Sequence, residues 1–147
     1  MTFSKIHPIY GGVISFETKD LSINIKDRYI AASLIELVRG ILTSWNDEKQ
    51  VVQITFEEEG RWHDLLLINY PPGDILKIEL YQDTLWDFFD EVNYKIPDPI
   101  YFEFTNHHSF AFLISQEIKR QGTEVFKDPK YPYPEVELKL LHNLMVG

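Results

Sequence analysis

Residues 51–81 read VVQITFEEEGRWHDLLLINYPPGDILKIELY, and this stretch decides the fold. Three apolar runs stand in it: Val51, Val52, Ile54 and Phe56; then Trp62 with Leu65 to Tyr70; then Ile75 to Tyr81. Each run has the length of a strand, and turn chemistry separates them. Glu59 and Gly60 part the first two, while Pro71, Pro72, Gly73 and Asp74 part the second and third, where proline fixes φ and removes a ladder donor. Connections this short join antiparallel neighbours, so the stretch predicts a three-strand meander. Leu65, Leu66, Leu67 and Ile68 do not alternate, which predicts a strand covered on both faces at the centre of the sheet.

The flanking segments add elements of both kinds. Upstream, Val13, Ser15 and Glu17 alternate with Ile14 and Phe16, and Leu21, Ile23 and Ile25 alternate with Ser22 and Asn24, a hairpin pattern turning at Thr18, Lys19 and Asp20. From Asp27 the period changes: Ile30, Leu34, Leu37, Val38, Ile41 and Trp45 form one helical stripe, with Asp27 placed to accept from a first-turn amide and Asn46 with Asp47 at the exit. Glu36 and Arg39 face outward as a solvated pair. Downstream, Asp83 opens a short capped helix to Val92. Ile100, Phe102 and Phe104 then alternate with Tyr101 and Glu103 as a further strand, on which Glu103 takes the solvent face.

Ser109 to Gly122 is open to two readings, since Phe110, Phe112 and Ile114 also fit a return strand. Helix is preferred, on the stripe Phe110, Leu113, Ile114 and Ile118, with Lys119 and Arg120 in the last turn and Gly122 as the left-handed cap. A last helix starts at Pro134 and buries Val136, Leu140, Leu141 and Leu144. The expected fold is α+β: a mainly antiparallel sheet of about six strands with two or three helices packed on it, in a single domain over residues 1–147. Its core is expected to include Leu37, Val38, Ile41, Leu66, Ile68 and Leu140.

Composition narrows the function classes. The 147 residues carry 23 Asp and Glu against 14 Lys and Arg, a net charge of -9, with 14% aromatics and no cysteine. Disulfide frameworks, thiolate nucleophiles and zinc–thiolate sites are excluded. The acid is spread evenly, -4 over residues 1–74 and -5 over 75–147, so there is no basic arm for a phosphate backbone and no nucleic-acid partner is expected. The stretch from Ile30 to Leu42 is interrupted by Glu36 and Arg39 and is shorter than the roughly 20 residues of a membrane span. Met1 to Glu17 lacks the basic region and apolar run of a secretory signal. A cytoplasmic, membrane-free protein is expected.

Catalytic signatures are sparse. No Gly-x-Ser-x-Gly elbow and no phosphate-binding glycine loop occurs, and Ser109 beside His108 is adjacency rather than a triad. No cofactor is called for. Glu57, Glu58 and Glu59 read as solvated edge charges. One alternative is a metal-binding or metal-dependent enzymatic site drawing on His63, Asp64, Glu103, His107 and His108, whose nitrogen and oxygen donors suit zinc or iron. Another is a subunit of a homo-oligomer.

The most pointed feature is acidic and aromatic together. Between Asp83 and Asp98 the local charge is -4, interleaved with Trp86, Phe88, Phe89 and Tyr94. Leu85, Phe89 and Val92 share one helical side, leaving Trp86 or Phe88 at the rim. Asp83, Trp86, Asp87, Phe88, Asp90 and Glu91 are therefore the candidate partner-binding residues, aromatics supplying contact area and carboxylates steering a basic protein partner. In general character (small, acidic, cysteine-free, aromatic-rich, α+β, without a catalytic signature) the chain resembles the immunity proteins that neutralise bacterial polymorphic toxins. That resemblance implies a non-enzymatic inhibitor of a basic, nuclease-like toxin and assigns a role to no individual residue.

Overall fold

The meander is present in the computed structural model, which describes residues 1–5, 12–17, 20–27, 29–58, 61–70, 74–82 and 98–147. Strands β4 (Val51–Glu58), β5 (Arg61–Tyr70) and β6 (Ile75–Gln82) run antiparallel, and β7 (Tyr101–Thr105) pairs with β6, giving the order β4-β5-β6-β7. Register explains the unalternating leucines. Leu65 and Leu67 share a face with Ile54, Phe56, Leu76, Ile78 and Leu80 in the main core, whereas Leu66 and Tyr81 form a second cluster on the opposite face, with Val51 and Ile68 packed against it. Ile68 is thus half-buried rather than a core residue, because its face carries only this small cluster.

The fold is α+β with antiparallel strands, and its described strands divide into two sheets. A three-stranded sheet, β1 (Thr2–Lys5), β2 (Gly12–Glu17) and β3 (Ser22–Asp27), stands beside the four-stranded one. β1 has no counterpart in the sequence reading. The β2–β3 hairpin is as expected, with Ile14 opposite Ile25 and Phe16 opposite Ile23. Phe16 also meets Tyr101 of β7, ring centres 5.2 Å apart, so an aromatic contact joins the two sheets.

Helix α1 (Ile30–Trp45) is buried over more than its stripe. Ala31, Ser33, Ile35, Gly40 and Ser44 are covered beside the expected Leu34, Leu37, Val38 and Ile41. A β-carbon on Gly40 would lie 2.8 Å from Ile54 Cδ1 and 3.4 Å from Val52 Cγ1, so the glycine lets α1 rest directly on β4. Two expectations about this helix are corrected. Arg39 reaches Glu137 at 3.5 Å instead of pairing with Glu36, because helix α3 (Glu135–Val146) comes within reach of its guanidinium. Asp27 ends β3 and accepts from Tyr29 N–H at 3.0 Å, one residue before the first turn, and the helix has no side-chain cap.

Asp27 is buried, and burial pushes its carboxyl above the ordinary 3.8, against the Ser33 hydroxyl and Tyr29 amide that favour ionisation. An acid whose folded-state pKa is raised costs stability at neutral pH. That cost is relieved as pH falls through the raised value toward 3.8, where the folded chain binds more protons than the unfolded one. Wild type should therefore gain on Asp27→Asn as pH falls from 7 toward 4, read from paired denaturation curves. A difference that stays constant with pH would show that Asp27 bears no ionisation cost.

Helix α2 (His107–Gln121) settles the open segment. Asn106 caps it by accepting Ser109 N–H at 2.7 Å, Lys119 and Arg120 occupy the last turn, and Gly122 follows at φ 71°. A 3₁₀ turn (Thr123–Phe126) leads toward α3. In α3 the buried residue is Leu141, while Val136 and Leu140 are 69% and 51% exposed. The expected burial of Leu140 is corrected: the face that packs runs through Leu138, Leu141 and Met145, spaced three and four apart. Among the described residues no helix is long and apolar enough to cross a membrane.

Candidate functional site: an aromatic face on the four-stranded sheet

β7 turns the sequence expectation inside out. Tyr101 is buried against Phe16 and Glu103 is half-buried on the same side, while Phe102 and Phe104 stand 55% and 61% exposed on the other. The ladder dictates this, because Glu103 pairs with the core residue Ile78, and Phe102 and Phe104 pair with Glu79 and Lys77. Both sides of β7 carry aromatic rings, so alternation alone could not say which faces water. Burial, together with the Glu103 carboxylate, pushes the Tyr101 hydroxyl up to about 12, so it stays protonated.

Around the two phenylalanines the sheet exposes Tyr70 and Ile75, both more than 40% accessible. Tyr70 pairs with Ile75 across β5 and β6, and its ring centre is 6.5 Å from that of Phe104. Lys77 sits among the rings and forms a 2.9 Å ion pair with Glu79, whose carboxylate also accepts the Tyr81 hydroxyl at 3.1 Å. The hydrogen bond to Glu79 holds the Lys77 ammonium above its ordinary range. Burial, then the Glu79 charge, raises the Tyr81 hydroxyl as well. The exposed Asp98 lies close enough for its charge to act on Tyr81. The result is an exposed aromatic surface with the carboxylates of Glu79 and Asp98 beside it.

The partner-binding residues expected from sequence, Asp83, Trp86, Asp87, Phe88, Asp90 and Glu91, lie outside the described residues. So does the segment from Asp83 to Val92 for which the sequence predicts a short helix.

The five metal or enzyme candidates are described, and they are spread out. His63 is on the core face of β5. Asp64 is on the opposite face, where Gln53 and Thr55 donate to its Oδ1 at 3.0 and 2.6 Å. Glu103 belongs to the Tyr101 side of β7. His107 and His108 begin α2, His107 stacked on Trp45 and His108 edge-on to it. Asn69 Nδ2 donates to the Ser44 carbonyl beside His107, and six residues of strand, roughly 20 Å, separate Asn69 from His63. Among the described residues no three His, Asp or Glu side chains gather as a metal site.

Sequence reasoning missed one constellation. His107 Nδ1 lies 2.5 Å from Asp74 Oδ1, and His107 Nε2 lies 3.1 Å from Ser44 Oγ. With Nδ1–H donating to the carboxylate, Nε2 accepts the serine hydroxyl, which is the hydrogen-bond order of a Ser–His–Asp hydrolase. Solvent access runs the wrong way for that chemistry. Ser44 is fully buried, whereas the Asp74 side chain is 53% exposed, so no substrate carbonyl reaches the hydroxyl. The trio ties the end of α1 to the start of α2 and the head of β6. A separate cleft of about 370 Å³, lined by Tyr29, Val125, Lys127, Asp128 and Tyr131 among others, presents no nucleophile–base pair. Comparison with protein-family models, with curated proteins and with solved structures finds no match to this chain.

Proposed function

We propose that the chain is a non-enzymatic binding protein that holds a basic protein partner against the aromatic face of its four-stranded sheet. The observation that carries this reading is the solvent exposure of Phe102 and Phe104, side by side on a strand whose other face joins the core. Buried apolar area at the centre of the contact supplies affinity, and a net charge of -9 steers a cationic partner toward it. Among proteins of this kind, an immunity-type inhibitor of a basic, nuclease-like toxin in the bacterial cytoplasm suits the chemistry, since carboxylates can stand in for the phosphates such an enzyme grips. The acidic, aromatic residues Asp83, Trp86, Asp87, Phe88, Asp90 and Glu91 belong in sequence to the stretch between β6 and β7, the two strands that carry most of the face, and are proposed to contribute to the same recognition.

The test is calorimetry with the basic partner co-purified from the native host, the product of the adjacent reading frame being the first to try. Phe102→Ala and Phe104→Ala should each weaken binding by about 30-fold, the effect of a hot spot worth about 2 kcal/mol, without lowering the melting temperature. Neutralising Asp98 should mainly slow association, followed by stopped-flow mixing, and flatten its salt dependence. Undiminished affinity in the double phenylalanine variant would remove the face from the interaction.

A further inference from the structure

Lys77 occupies a corner built of two rings. Its Nζ is 5.1 Å from the Phe102 ring centre and 5.5 Å from that of Phe104, inside the roughly 6 Å over which a ring quadrupole attracts a cation. The two phenyl rings stand at 81° to each other with centres 6.2 Å apart, and Tyr70 backs Phe104 at a tilt of 48°. Beside the ammonium lies the Glu79 carboxylate, itself only 12% exposed. Lys77 belongs to the solvent side of the sheet, yet its side chain is only 20% exposed, so this lysine is folded down among the rings. Non-parallel aromatic walls with a carboxylate at hand form an arrangement that recognises ammonium and guanidinium groups.

We infer that this corner is a cation-binding cage for a lysine or arginine side chain of the basic partner, filled in the free protein by the chain's own Lys77. The inference rests on the reading of this face as the docking surface and names the chemistry of its central contact. Exchange is feasible on electrostatic grounds. One cation replaces another, so Glu79 keeps a counter-charge throughout, and the flexible lysine stem can swing outward without moving the backbone. An incoming guanidinium is planar and weakly hydrated, which favours stacking on phenyl rings over the ammonium it displaces. A tethered lysine also has a high effective concentration, so isolated small cations compete poorly and the cage opens to a partner that brings further contacts.

The cage can be tested without the partner. Tetramethylammonium and N-acetyl-arginine amide are titrated into the full chain while the ring protons are followed by NMR, with thermal melts verifying the fold of each variant. Lys77→Met, which keeps the apolar stem and removes the plug, should bind tetramethylammonium about 10-fold more tightly than wild type, the range expected for freeing one cation–π contact and one partly covered ion pair. Shifts should be confined to Phe102, Phe104 and Tyr70. Adding Phe104→Leu to that background preserves apolar bulk but removes the quadrupole, and should abolish the gain. Lys77→Gln serves as a second unplugged variant should Lys77→Met fold poorly. Equal responses of wild type and both unplugged variants, or a response that survives Phe104→Leu, would overturn the cage. If neither unplugged variant binds the cations while Phe102→Ala still weakens the partner complex, the cage falls and the docking surface stands.

Discussion

Replacing Phe16 with alanine is expected to lower the unfolding free energy by about 3–5 kcal/mol, the usual penalty for deleting a buried aromatic side chain and leaving a cavity. Phe16 is fully buried in β2 and touches the ring of Tyr101 in β7, at 5.2 Å and an interplanar angle of 58°. Its loss removes apolar burial and an aromatic pair worth about 0.5–1.5 kcal/mol beyond area. The site is a junction between two sheets, so the space cannot be closed by shifting one strand alone. Phe16→Leu, which refills most of the volume, should cost about 1–2 kcal/mol. Urea denaturation measures both. A loss below about 1 kcal/mol for the alanine variant would mean that the sheets are not coupled through this ring.

The second large effect separates two neighbours on α3. Leu141→Ala should cost about 2–5 kcal/mol, while Leu140→Ala should change stability by no more than about 0.5 kcal/mol. Leu141 is fully buried and Leu140 is half exposed, because adjacent helical residues point about 100° apart and the core meets only one of them. The reverse ranking in thermal or chemical melts would require α3 to be rotated by one residue on the core.

That pair shows where the sequence was legible and where it was not. Period could be read wherever the apolar pattern was one-sided: the α1 stripe, the β2–β3 hairpin and the meander all appear within a few residues of their expected bounds. Phase could not be read where both sides are apolar. In α3, leucines at 138, 140, 141 and 144 fit more than one face. In β7, rings at 101, 102 and 104 leave either side free to be the core side, and the choice falls to the register with β6. The candidate site is where this ambiguity matters most: alternation puts Glu103 on the solvent face, whereas the ladder with β6 exposes Phe102 and Phe104. Pairings across the fold were also beyond reach. Arg39 meets Glu137 at 98 residues' separation, and the Ser44–His107–Asp74 trio spans gaps of 63 and 33, distances over which no local pattern carries information.

The place of β7 in the ladder bears on how the face comes into being. It is the shortest strand of the four-stranded sheet, 5 residues long, and lies at the edge, hydrogen-bonded to β6 alone. With the fewest ladder bonds to break, β7 is expected to detach more readily than the strands inside the sheet. Amide exchange in Tyr101–Thr105 should be faster than in β5, and slowed most by a bound partner. The rings that would grip another protein thus sit on the most loosely zipped strand of the sheet, and occupancy of the face would itself complete the fold.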